Sequence, residues 1–219
     1  MSFTLLAIDR DARLLGAATA SKSLAVGNSV PAIDPAVGVV ASQAWTNRAL
    51  RHLVLDAMAG GQDAPTAVGR VAQWDDRHAL RQVAAIGVGG TIGATTGADT
   101  TPWAGQRLGA DHVAIGNLLT GPEVLDAMSE TFDADASMPF GRRLVAALEA
   151  GDAAGGDRRG RQSAALLVAR IQPARAFPPE LVIDLRVDDA QTPLVELTRL
   201  LDLRDAELAA PVDPRTAVG

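Results

Sequence analysis

The sequence predicts an α+β domain in which two β-sheets are sandwiched between helical layers. Three observations lead there. The β-rich runs come in groups separated by paired helical stretches, which disfavours a strictly alternating βαβ protein. The 219 residues are 47% hydrophobic and 21% charged, enough for one sizeable core and too few for two. The first strand-like run carries Phe3 and Leu5 on one face and Leu6 and Ile8 on the other, as a central strand covered on both sides would. One domain is therefore expected over residues 1–204, with a disordered tail at 205–219 holding Pro211 and Pro214.

Each element follows from its local pattern. Ser2 to Asp9 is β-branched and apolar, ends in the polar turn Arg10-Asp11-Ala12-Arg13, and has Leu14 to Ser23 as its partner. Two strands are expected around Ser29 to Ile33 and Val37 to Trp45, punctuated by Pro31, Pro35 and Gly38. The period then changes. Asn47 can cap a helix whose apolar Leu50, Leu53, Val54, Ala57 and Met58 recur at three and four, stopped by Gly60-Gly61. A second helix runs from about Asp63, with Pro65 in its first turn, to Trp74. Gln82 to Val88 and Thr91 to Thr96 flank Gly89-Gly90, the spacing of a tight hairpin. His112 to Leu118 is a further strand. Helices follow from Pro122 through Glu123-Val-Leu-Asp-Ala-Met-Ser-Glu-Thr-Phe132 and from Pro139 to Gly151. Gln162 to Val168 and Leu181 to Val187 complete the strands, and Pro193 to Leu203 is the last helix.

Composition excludes several functions. Cysteine is absent, so disulfides, thiolate metal sites and cysteine nucleophiles are out. The net charge of −6 and 3% aromatic content oppose nucleic-acid binding, which needs a basic surface and stacking platforms. No apolar run reaches the roughly 20 residues of a membrane-spanning helix, and a cytoplasmic protein with no membrane partner is the expectation. Histidines 52, 78 and 112 have no ligand spacing, and His52 and His78 read as solvated surface. Asp188-Asp189 could hold a hard cation, although two acids at a strand end are more often turn residues. No metal and no cofactor is expected. Gly87-Val-Gly-Gly-Thr-Ile-Gly93 has the glycines of a dinucleotide loop but a poor helix start in Thr91, Thr95 and Thr96, so it reads as the hairpin. No Gly-x-Ser-x-Gly elbow is present.

The chemistry left is that of the amino terminus. If Met1 is removed, as expected before a small residue, Ser2 carries both a hydroxyl and an α-amine of pKa about 7.7 to 8.0, a nucleophile and a general base in one residue. If Asp9 and Leu14 flank the hairpin turn, Ser2 lies opposite Ser21; a one-residue shift substitutes Lys22, the sole lysine of the chain. Lys22 would lower the amine pKa, whereas a Ser21 hydroxyl would orient or relay its proton. Asn117 after Gly116, and Gln43 with Asn47 near Trp45, are candidate oxyanion donors or substrate contacts. The loop Arg158-Arg159-Gly160-Arg161 suits a carboxylate or phosphate, unless Asp152 and Asp157 pair it off.

Finally, GAATASKSLAVGNSVP, GVVASQAWTN, TPWAGQRLG, IGNLLTGPEV, EAGDAAGGDRRGRQSAALLV and VIDLRVDD together resemble a bacterial family, domain of unknown function 1028, grouped with the Ntn-hydrolase-like fold. The resemblance spans about Ser2 to Leu203. It implies a four-layer αββα sandwich and a nucleophile role for Ser2. One departure is that Ala190 follows the aspartate pair where relatives often have histidine. The reading is a hydrolase of a small amide, with Ser2 as nucleophile, Ser21 or Lys22 tuning its amine, Asn117 and Gln43 near the oxyanion, and Asn47, Arg158, Arg159 and Arg161 contacting a small substrate that bears a carboxylate. The alternative is a non-catalytic binder of a small anionic metabolite. A homo-oligomer is expected in either case.

Overall fold

The computed structural model describes residues 2–210. It holds two antiparallel sheets, seven α-helices and one 3-10 helix, His78–Leu80, among the described residues. The larger sheet runs β10-β9-β2-β1-β8-β7, with β1 at Ser2–Asp9, β2 at Leu14–Ser21, β7 at Gly105–Leu108, β8 at His112–Gly116, β9 at Ser163–Arg170 and β10 at Ile183–Val187. The smaller runs β3-β4-β5-β6, formed by Pro31–Asp34, Gly38–Ala44, Arg81–Gly87 and Ile92–Thr96. β1 is an interior strand, as its two apolar faces require.

Side-chain alternation along each strand builds three apolar clusters. Leu6, Leu15, Val113, Ile115 and Leu167 of the large sheet meet Val39, Ala41, Ala84 and Ile86 of the small one. The opposite face of the large sheet, Phe3, Leu5 and Ala18 among others, packs on Met128 of α5 (Glu123–Ala134), Leu144 and Leu148 of α6 (Phe140–Ala153) and Leu197 of α7 (Pro193–Ala209). The outer face of the small sheet, Val40, Val83 and Ala85, takes Leu50 and Val54 of α2 (Ala49–Ala59) and Val68 of α3 (Ala64–Gly69). Each fully buried leucine contributes about 1.5 to 3 kcal/mol of burial.

The β1–β2 hairpin has the register in which Asp9 faces Leu14 and Ser2 faces Ser21. At the β5–β6 turn Gly90 has φ +81 and donates its N–H to Gly87 O at 2.7 Å; the left-handed conformation is what glycine supplies there.

Four elements depart from the pattern. β7 was not expected, because Gly-Gln-Arg-Leu is a half-exposed edge strand without apolar alternation. The run expected at Ser29 begins only at Pro31, preceded by a single helical turn, α1, at Val26–Ser29. The helix expected from Asp63 to Trp74 is two pieces, α3 and α4 (Val71–Trp74), because Gly69 ends the first and Arg70 N–H turns back onto Ala67 O. α7 continues past Leu203 to Ala209, so 205–209 is helical rather than tail. Arg142 holds Asp205, and Arg204 donates to Val182 O. The rest of the expected tail, 211–219, lies outside the described residues. Among the described residues no helix is long and apolar enough to cross a membrane.

Candidate active site

Antiparallel pairing lines up one row of polar residues across four neighbouring strands. Ser2 stands opposite Ser21, Ser21 opposite Ser163, and on the other side of β1 the N–H of Asn117 donates to Ser2 O at 3.2 Å. All four are buried, Ser2 at 2% exposure and Asn117 at 0%. Their parity places them with Leu6, Leu15, Ile115 and Leu167, on the face turned toward the small sheet.

The small sheet answers with amides. Gln43 of β4 donates through Nε2 to Ser2 O at 3.1 Å, to Gln82 Oε1 at 2.8 Å and to Ile115 O at 3.3 Å. Gln82 of β5 donates to Thr96 Oγ1 at 3.0 Å and to the carbonyls of Gly105 and Gly116, both at 2.9 Å. Asn117 Nδ2 donates to Gln82 Oε1 at 3.0 Å and more weakly to Ser2 O at 3.4 Å. Thr4 Oγ1 donates to Gln43 Oε1 at 2.6 Å, so Thr19, 2.7 Å away, is the donor to Thr4. Turning any of the three amides over would set oxygen against oxygen, which fixes their orientation. Ser2 O thereby receives three N–H groups, and Asn117 Oδ1 is left buried without a partner.

The predicted residues separate on this geometry. Ser2, Ser21, Asn117 and Gln43 come together. The register sets Ser21 rather than Lys22 opposite Ser2; Lys22 is exposed, its ammonium donating to Arg161 O at 3.3 Å and its backbone N–H to Asp157 Oδ2 at 3.1 Å. Asn47 is committed to structure: its Oδ1 accepts from Ala49 N at the start of α2, and its Nδ2 donates to Asp75 at 2.7 Å. Asp75 also takes Arg81 Nε at 2.8 Å, and that guanidinium holds its carboxyl down at about 2. The donors of Gln43 and Asn117 are spent on Ser2 O and Gln82, which fits them to position Ser2 rather than to hold an oxyanion.

The arginine loop reaches the same place by its backbone. Arg158 N–H donates to Leu118 O, Leu119 bridges Asp157, and Gln162 N–H donates to Ser21 O. The loop therefore starts beside the residues that follow β8 and ends beside β2, spanning the start of the strand that lies between them. Two of its guanidiniums are paired, Arg159 with Asp157 at 2.6 Å and Arg161 with Asp152 at 2.8 Å. Arg158 is exposed with no ion pair among the described residues. Asp188 O accepts from Ala25 N, and Asp189 Oδ1 accepts from Gln162 at 3.1 Å; among the described residues no three acids or histidines gather as metal ligands.

Gln82, Thr4, Thr19 and Ser163 were missed. Strand parity could have found Gln82, a polar residue in step with inward Ala84 and Ile86 in an otherwise apolar run. His112 is fully buried, with Nε2 2.7 Å from Ser129 Oγ and Nδ1 3.4 Å from Asp133; burial pushes its pKa down against the pull of Asp133. A cleft of about 10 Å³ at the end of the row is bordered by Ser21, Ser163 and Arg161 together with Phe3, Ala20 and Leu194 of the helix-covered side, while a recess of about 340 Å³ lies elsewhere, beside Asp34, Arg175 and Phe177.

No curated protein matches the chain. Among solved structures it is similar to protein SPO2555 from Silicibacter pomeroyi, a protein described as DUF1028. The identity is 35% over 92% of this chain and 85% of that one, with a TM-score of 0.82. Anbu from Hyphomicrobium sp. strain MC1 is a much weaker likeness, 12% identical over 97% of this chain and 99% of that one, with a TM-score of 0.38. With residues 2–197 matched by the model of a family of unknown function, DUF1028, the chain belongs to that family.

Proposed function

We propose that the chain from Ser2 through α7 acts as a single Ntn-hydrolase-like domain, a four-layer αββα sandwich, and that it hydrolyses a small amide, a short peptide or an acylated amino acid, with Ser2 as N-terminal nucleophile. The observation that carries the reading is the first residue of β1. Ser2 is buried on an interior strand with its carbonyl held by three N–H groups, one from the Asn117 backbone and two from the side-chain amides of Gln43 and Asn117. The apolar cluster between the two sheets and the helices packed outside each support the layered architecture.

In this mechanism removal of Met1 exposes the Ser2 α-amine. The amine takes the hydroxyl proton as Oγ bonds to the substrate carbonyl carbon, and returns it to the leaving nitrogen as the C–N bond breaks. Water then cleaves the Ser2 ester, with the same amine as base, and releases the acid. Ser21, directly opposite, orients the amine or hydroxyl. Gln43 and Asn117 hold the Ser2 backbone. A substrate carboxylate would meet the arginine loop, where Arg158 has no ion pair among the described residues.

The test is a mass spectrum of purified protein before and after an amide-reactive acylating probe. The mature chain should lack Met1 and gain one acyl group on Ser2, and Ser2→Ala should gain none. An active chain that retains Met1, or full turnover by Ser2→Ala, ends the proposal.

A further inference from the structure

A recess of about 230 Å³ opens between the edge of the small sheet and β9–β10 of the large one, away from the serine row. Its walls include Arg51 of α2, Arg186 of β10, Ile33 of β3, Leu167 of β9, Pro179 and Leu181. Two guanidiniums thus share one pocket with an apolar lining. Arg51 is the unusual one. Its Nη1 donates to Asn28 O at 3.1 Å and Pro31 O at 2.9 Å, and its Nε to Arg48 O at 3.4 Å. Among the described residues no carboxylate pairs with it, although the chain carries more acids than bases. Arg186 is paired with Asp184 through Nε and Nη2, which leaves Nη1 open. Asp34 and Asp56, beside the neighbouring recess, are both taken by Arg175.

A half-buried cation without a counter-ion, facing a second cation across a cavity, lacks a negative group there. Carbonyls fix the orientation of the Arg51 fork, so little rotamer freedom is lost when an oxyanion docks. We propose that this recess binds a small organic carboxylate, its head on Arg51 and Arg186 and its apolar body against Leu167, Leu181, Ile33 and Pro179. The volume suits a small acid, since clefts for drug-sized ligands run about 300 to 1,000 Å³. Burial first, and then the nearby Arg48 and Arg186, draw the Arg51 pKa below its usual value; a bound carboxylate relieves the two charge contributions.

The site is independent of the Ser2 chemistry, and its test reads binding alone. Hexanoate is titrated calorimetrically into the full chain, with hexanol and inorganic phosphate as separate arms. Hexanoate should bind; hexanol should give no signal, and phosphate should bind about tenfold more weakly. Arg51 also ties down the α1–β3 segment, so the variants are Arg186→Gln, which removes an exposed fork, and Leu181→Asp, which sets a like charge on the apolar wall. Each should weaken hexanoate about tenfold or more, while Ser2→Ala should bind as the parent does. Absence of hexanoate binding, or binding unchanged in both variants, overturns the site. Phosphate as tight as hexanoate overturns its apolar half, and loss of binding in Ser2→Ala moves the ligand to the serine row and overturns it as well.

Discussion

Replacing Gln82 by methionine keeps the volume of the side chain and deletes its hydrogen bonds. Gln82 is fully buried, and its amide joins both sheets. Nε2 serves Thr96 Oγ1 and the carbonyls of Gly105 and Gly116, and Oε1 receives Gln43 and Asn117. Thr96 keeps a partner, since its hydroxyl also donates to Gln106, and Gln43 keeps two carbonyl acceptors. Gly105 and Gly116 stay paired with each other across β7 and β8, so their carbonyls lose only a second donor, and the uncompensated loss is one donor of Asn117. A buried polar group left unsatisfied costs about 1 to 3 kcal/mol, so the expected loss is about 2 kcal/mol. Urea unfolding followed by circular dichroism measures it as a lower midpoint at an unchanged slope. Because Asn117 and Gln43 also hold Ser2 O, acylation of Ser2 should slow in the same variant. A loss below about 1 kcal/mol would show that the amide bridge is not a stabilising element, and the reasoning about Ser2 restraint would fall with it.

Three further outcomes follow. Burial depresses the His112 pKa, so its contribution is complete above the unfolded value of about 6.5 and is lost as pH falls through the folded value; urea midpoints should drop between about pH 7.5 and pH 5.5 in the parent and less in His112→Gln. Asp75 is lowered from 3.8 to about 2, chiefly by Arg81. At 11% exposure for Arg81 and 7% for Asp75, that shift is worth about 2 kcal/mol, present above the unfolded value and lost as pH falls toward 2, a step that acid titration of Asp75→Asn should lack. A Cβ at Gly93 would meet Ala64 O at 2.5 Å and the Pro65 backbone at 2.8 Å; Gly93→Ala should therefore lower stability by about 1 to 3 kcal/mol in thermal unfolding, because helix backbone cannot swing aside as a side chain can.

Much of the architecture was legible because period-two and helical patterns are local. The β1 limits, the hairpin register and the stops at Gly60 and near Gly151 all follow from residues within a few positions of each other. β7 was not legible, since what makes Gln106 and Arg107 a strand is pairing with β8. In the site, Ser2 and Ser21 could be read from one hairpin. Gln82 could not be joined to Asn117 without knowing that β5 lies across from β8, and the pairing of Arg159 and Arg161 with aspartates of the same loop region left only Arg158 of the expected trio exposed and unpaired by an acid.

Between the two sheets five alanines, Ala17, Ala41, Ala84, Ala165 and Ala169, lie among leucines, isoleucines and valines. Apolar burial is non-directional, so it favours contact between the sheets without by itself choosing one alignment. Thr4 to Gln43 and Asn117 to Gln82 cross the gap like dowels. Lateral alignment of the sheets next to Ser2 is thus set by a few directional bonds in addition to packing, so a change that loosens those bonds should shift one sheet against the other at that end before it melts either.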